Sequence, residues 1–143
     1  MSDGHKFCTF KLDGLLFGVE VSKVQEVIRH LNLTRVPLAP PIVRGLINLR
    51  GQIVTAVDLR CRLELPPRAA DQHPMNVVVR MDDEAVSLLV DEIGDVCEVD
   101  EDAFEGPPET LNGVARDLIR GVYKLKDQLL LVLDTEKAVQ VSN

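Results

Sequence analysis

The run Val43-Arg44-Gly45-Leu46-Ile47-Asn48-Leu49-Arg50-Gly51-Gln52-Ile53-Val54-Thr55-Ala56-Val57-Asp58 returns near the C-terminus as Ile119-Arg120-Gly121-Val122-Tyr123-Lys124-Leu125-Lys126-Asp127-Gln128-Leu129-Leu130-Leu131-Val132-Leu133-Asp134. Arg-Gly, Leu, Gln and Asp keep their register, and apolar residues answer apolar ones between them. A repeat of this kind restricts the chain to two related halves. A fainter echo lies upstream, where Leu16 to Val27 overlies Ala85 to Val96, matching Val24 with Ile93 and Glu26 with Asp95. The two offsets differ, so a short insertion falls between them. Residues 103–115 offer the place, with Gly106-Pro107-Pro108 and Asn112-Gly113 interrupting regular structure.

Each copy encodes a β-hairpin. Leu46 to Leu49 and Gln52 to Val57 are apolar, β-branched-rich runs around Arg50-Gly51, and Lys126-Asp127 takes that place in the second copy. Asp58 and Asp134 close the copies where a carboxylate accepts from the free N–H groups of a following turn or helix, so both are expected as caps rather than catalytic acids. Helix is expected in two places only, Ser22 to His30 and the last ten or so residues. On the first, Val24, Val27, Ile28 and Leu31 share one face, with Lys23, Glu26 and Arg29 or His30 elsewhere. Short strands bounded by Gly, Pro and Asp fill the rest, which predicts a mainly β fold built of sandwiches or small barrels.

A chain of 143 residues holds one ordinary domain or two very small units sharing a core. Aromatics are 3% with no Trp, so the expected core is aliphatic. The opening Met1-Ser2-Asp3-Gly4-His5-Lys6 has no long apolar segment, and no later apolar run nears the roughly 18 residues of a membrane span. A cytoplasmic location and no membrane insertion are expected. Cys8, Cys61 and Cys97 are odd in number and set in apolar stretches, predicting reduced, buried thiols.

Charge divides unevenly. Through Arg80 the balance is +4 and beyond it −11, and Asp82 to Glu109 holds twelve acids without one Lys or Arg. Such a segment cannot bind phosphate backbones, so no nucleic-acid partner is expected. A calcium loop at Asp100 is disfavoured because Phe104 and Glu105 stand where an oxygen ligand and a glycine belong. Gly45 to Gly51 lacks the Gly-Lys-Ser/Thr ending of a phosphate loop. His5, His30 and His73 have no second metal ligand at helical spacing, and no Ser or Cys lies in a nucleophile elbow. The sequence therefore presents no catalytic residue, metal site or cofactor. Glu26 reads equally as a solvated charge, and Arg50 as a turn residue whose fork can hold a carboxylate.

Phe17-Gly-Val-Glu-Val-Ser-Lys-Val-Gln-Glu-Val27, Pro41-Ile-Val-Arg-Gly-Leu-Ile-Asn-Leu-Arg-Gly-Gln-Ile-Val54, Val57-Asp-Leu59, Leu89-Val-Asp-Glu-Ile-Gly-Asp-Val96 and Leu133-Asp134 together resemble the CheW family, the bacterial chemotaxis coupling proteins. The likeness runs from Phe7 to Val139. It departs at Thr55-Ala56, where the family usually has proline and a larger aliphatic residue. The resemblance implies one domain over residues 1–143, made of two pseudo-symmetric five-stranded SH3-like barrels on a shared aliphatic core. Their approximate extents are 14–66 and 74–134, completed by the terminal segments, with one short helix after the second strand and another at the C-terminus. It also implies a non-enzymatic adaptor that links the cytoplasmic tips of methyl-accepting chemoreceptors to the regulatory domain of the histidine kinase CheA. By motif position the receptor-binding residues are Val24, Glu26, Val27, Asn48 and Arg50; the kinase contact is placed on the first barrel without named residues. A similar adaptor of a non-flagellar, twitching-motility type pathway, and a small β-barrel enzyme, are the alternative readings.

Overall fold

The computed structural model describes residues 5–29, 31–81, 84–108 and 113–140. His30 at the end of the predicted helix, Asn112, the acidic limits Asp82 and Glu109, and the first four residues lie outside the described residues.

The first half supplies β1 (His5–Leu12), β2 (Leu15–Glu20), β3 (Val24–Ile28), β4 (Val43–Leu49), β5 (Gln52–Asp58) and a single turn of helix, α1 (Leu59–Arg62). The second supplies β6 (Met75–Met81), β7 (Glu84–Val90), β8 (Glu92–Val99), β9 (Phe104–Glu105), α2 (Gly113–Leu118), β10 (Ile119–Lys124), β11 (Leu129–Leu133) and α3 (Thr135–Val139). They form a five-stranded sheet in the order β3-β6-β7-β5-β4 and a six-stranded sheet in the order β8-β1-β2-β11-β10-β9. Each sheet is thus completed by a hairpin from the other half of the sequence. The duplication extends to the pairing: Thr55 faces Val86 across the parallel β5–β7 pair as Leu131 faces Phe17 across β11–β2. The two-residue β9 makes the second sheet one strand wider than the five expected from the resemblance.

Both predicted hairpins form. Arg50 and Gly51 carry φ of 53° and 90°, the left-handed pair of a type I′ loop, whose twist matches that of the strands it joins. The repeated Arg-Gly has a structural cause. Each glycine sits at a bulge, between Val43 and Gly45 or Ile119 and Gly121, where a crossing segment lies against the strand. A Cβ on Gly45 would stand 2.6 Å from the Thr34 carbonyl oxygen, and one on Gly121 would meet the Glu105 carbonyl and the Phe104 ring. Thr34 bonds Leu46 in both directions at 2.8 Å, and β9 pairs with β10 in the equivalent place. Asp58 and Asp134 cap as expected, accepting from the N–H of Arg60 at 3.0 Å and of Lys137 at 3.1 Å.

The helix expected over Ser22 to His30 does not form. Val21–Lys23 make one 3-10 turn and Val24–Ile28 continue as β3, paired antiparallel with β6. Val24, Val27 and Ile28 are β-branched, and the open edge of β6 offers their backbone a hydrogen-bonding partner along one side. α2 begins within the insertion between the copies and runs past its end at residue 115, a helix the sequence did not announce.

Three layers of apolar side chains result. A central cluster joins residues of both sheets, among them Phe10, Phe17, Leu59, Val77, Leu88, Val122 and Leu131. Ile47, Leu49, Val54, Ala56, Val78, Ala85 and Leu89 fill the opposite face of the five-stranded sheet; Phe7, Leu16, Val99, Tyr123, Leu130 and Val132 do so for the other. The core is largely aliphatic but has an aromatic centre, Phe10 and Phe17 stacking with centroids 5.9 Å apart. Each fully buried side chain of this kind contributes roughly 1.5–3 kcal/mol. Cys8, Cys61 and Cys97 are free thiols, half-buried rather than buried, and Cys61 lies in α1. Burial pushes the Cys8 thiol up from its ordinary value. Among the described residues no helix is long and apolar enough to cross a membrane.

Candidate functional site

β3 and β4 are the two edges of the five-stranded sheet. Edges of a flat sheet of that width stand about 19 Å apart at ~4.8 Å per step. Here they meet, because Arg50 at the tip of the β4–β5 hairpin forms an ion pair with Glu26 on β3. The sheet is therefore strongly curled, and two residues 24 apart in sequence become neighbours.

The turn explains how Arg50 is aimed. The Asn48 side-chain carbonyl accepts from the N–H of Gly51 at 2.9 Å, stapling the loop across its own base. The left-handed backbone at Arg50 then throws the guanidinium off the end of the strands. Glu26 is held from two sides. The Arg50 hydrogen bond lowers its pKa most, against an upward push from burial, and the Gln25 amide, 3.3 Å from the same oxygen, lowers it further. An acid kept ionised and paired in this way presents a fixed dipole to a partner rather than a proton acceptor poised near neutrality.

The other sequence-predicted residues divide. The bulge between Val24 and Glu26 turns Val24 and Val27 to one face of β3 and Glu26 to the other. Val24 packs half-buried against the central cluster, whereas Val27 is 39% exposed. Asn48 is exposed and serves its own turn. The structure therefore joins Glu26, Arg50 and Asn48 into one unit, with Val24 and Val27 on the reverse of the same strand. Sequence reasoning did not single out Gln25 or Ile53. Ile53 stands opposite Asn48 and is 60% exposed; its signal was an outward β5 position occupied by an aliphatic side chain. The duplication repeats this exposure, for Leu129 and Val96 are exposed where the second half aligns with Ile53 and Val27. Among the described residues no group of three or more His, Cys, Asp or Glu is placed to hold a metal.

Curled, interlocked sheets presenting a fixed ion pair among exposed aliphatic side chains define a binding module, duplicated and mainly β. The model of the CheW-like domain matches residues 6–142, and the chain belongs to that family. The chemotaxis protein CheW of Bacillus subtilis is 33% identical over 92% of this chain and 84% of its own length. That of Klebsiella aerogenes is 28% identical over 94% and 81%. Among solved structures, the scaffolding protein TtCheW from Thermoanaerobacter tengcongensis superimposes with a TM-score of 0.88 at 26% identity, over 97% of this chain and 94% of that one. The protein is a CheW-family chemotaxis scaffold, a non-enzymatic adaptor.

Proposed function

We propose that this chain couples the cytoplasmic tips of methyl-accepting chemoreceptors to the regulatory domain of the histidine kinase CheA, in the cytoplasm at membrane-associated receptor arrays. Val24, Glu26, Val27, Asn48 and Arg50 make the receptor contact in this reading. The observation that carries it is the Glu26–Arg50 pair, which draws two distant motifs together at a sheet edge. A receptor tip is a helical hairpin, and a helix is gripped by aliphatic contacts with a few charges to set its orientation. Ile53, opposite Asn48 beside the pair, supplies the former, with Val27 reached around the free edge of β3, and the pair supplies the latter. Modest affinity suffices where many copies act together at high effective concentration.

Contact between the edges of the five-stranded sheet also supports its closure into an SH3-like barrel, with the six-stranded sheet as its counterpart. On this reading residues 1–143 form one domain of two subdomains, near 14–66 and 74–134, that exchange strands.

The test is co-sedimentation with receptor fragments beside pull-down on the kinase regulatory domain. Glu26→Lys and Arg50→Ala should each reduce receptor co-sedimentation about tenfold, in line with a charge-assisted contact, and leave kinase capture intact. Unchanged receptor binding in both variants would refute the assignment. A ternary complex with the unaltered protein is the expected sign of a coupler, and mutual exclusion of the two partners would contradict it.

A further inference from the structure

At the end of β4 away from Arg50, on the order of 20 Å distant at about 3.4 Å per residue, lies a second charged cluster outside the reading above. Arg60 donates to Asp91 from Nε at 2.8 Å and from its terminal nitrogen at 2.5 Å. Arg68 Nε donates to the same carboxylate at 3.0 Å, and Arg44 Nε donates to Asp58 at 3.0 Å. Backbone N–H groups fill the remaining positions: that of Arg60 on Asp58 at 3.0 Å and that of Asp13 on Asp91 at 2.9 Å. Asp91 is therefore engaged on both oxygens by Arg60, Arg68 and the Asp13 N–H, whereas Asp58 accepts one hydrogen bond on each oxygen.

The Arg60 guanidinium is satisfied as well, its remaining nitrogen donating to the Pro66 carbonyl at 2.7 Å, but that of Arg68 is not. Arg68 is a side chain 9% exposed, and its enclosed terminal NH2 makes no hydrogen bond; Asp58 Oδ1 stands 3.5 Å from it. A buried donor on a charged group is costly to leave unanswered. Beside it opens a cavity of about 350 Å³ bordered by Arg35, Arg44, Asp58 and Arg68, with Leu33 and Leu89 as its apolar wall. Arg35 is exposed and has no ion-pair partner among the described residues, so three guanidinium groups border this space against one carboxylate already occupied.

We propose that this cavity binds a phosphate-type oxyanion, free or carried on a small organic body. Planar forks arriving from three positions offer more donors than the two oxygens of a carboxylate accept, whereas a phosphate presents three or four. Its size falls at the lower end of the range of small-molecule sites, and the apolar wall suits the carbon portion of a phosphomonoester.

The test tracks the guanidinium Nε–H signals of the full chain by NMR during titration with inorganic phosphate and with O-phosphoserine, against chloride at equal ionic strength. Saturable shifts at Arg35, Arg44 and Arg68 are expected with phosphate and not with chloride. Arg35→Gln leaves the Asp58 and Asp91 bonds untouched and should weaken binding about tenfold; Arg68→Gln should abolish it. Tighter binding of O-phosphoserine assigns the site to a monoester, and equal binding assigns it to the free anion. Shifts that depend on ionic strength alone, or an Arg35→Gln variant that binds like the parent, would overturn the proposal.

Discussion

Replacing Asp91 by Asn keeps the shape of the side chain and removes the charge on which Arg60 and Arg68 converge. Burial pushes the Asp91 carboxyl up, but the hydrogen bonds from Arg60, the Asp13 backbone and Arg68 outweigh it and leave the group at about 2, against an ordinary 3.8. At roughly 1.4 kcal/mol per tenfold change, that displacement is worth about 2 kcal/mol of folding stability. The folded value is the lower one, so this contribution is complete above pH 3.8 and disappears as the pH falls through about 2. At neutral pH the variant also leaves Arg68 buried with Asp58 as its remaining carboxylate, so the total loss should reach about 3 kcal/mol. Urea unfolding of parent and variant from pH 7 to pH 2 reads both numbers, because other titrating groups cancel in the difference. The gap should be widest at neutral pH and narrow by about 2 kcal/mol at pH 2. A gap of the same size at both ends would show that the carboxylate is not stabilised as its surroundings require.

Two further substitutions probe the frame. Gly45→Ala sets a Cβ against the Thr34 carbonyl and should cost about 1–3 kcal/mol; hydrogen exchange at the Thr34 and Leu46 amides should accelerate with it, and unchanged protection would refute the crossing contact. Phe10→Ala removes one member of the stacked pair at the centre of the molecule, and a loss of about 3–5 kcal/mol in chemical denaturation is expected.

The parts legible in the sequence were those set by local chemistry. The β4–β5 hairpin is written in two β-branched runs around Arg50-Gly51, and Asp58 and Asp134 stand as caps because each closes a strand just ahead of a short helical turn. β3 reads as helix because a bulge interrupts its alternation: Val24, Val27, Ile28 and Leu31 fall at helical spacing, and only pairing with β6 shows the first three to be a strand edge. The exchange of hairpins between sheets had no local signature, since the parallel contacts of β5 with β7 and of β11 with β2 depend on the whole topology. Of the candidate site, the residue types at Glu26 and Arg50 stood out through family likeness, but their mutual pairing needed a curled sheet to bring them together.

The crossed strand assignment bears on how such a chain emerges from the ribosome. The β4–β5 hairpin lacks its neighbour β7 until residue 90 has been made, and the β1–β2 hairpin waits for β11 until residue 133. The five-stranded sheet therefore has all its strands once residue 90 is made, whereas the six-stranded sheet gains its last, β11, only at residue 133, so the two become complete in turn. Once formed, the two sheets share the central cluster, so opening one exposes apolar side chains of the other. A pull applied at the Glu26–Arg50 corner is therefore resisted by strands from both halves of the sequence.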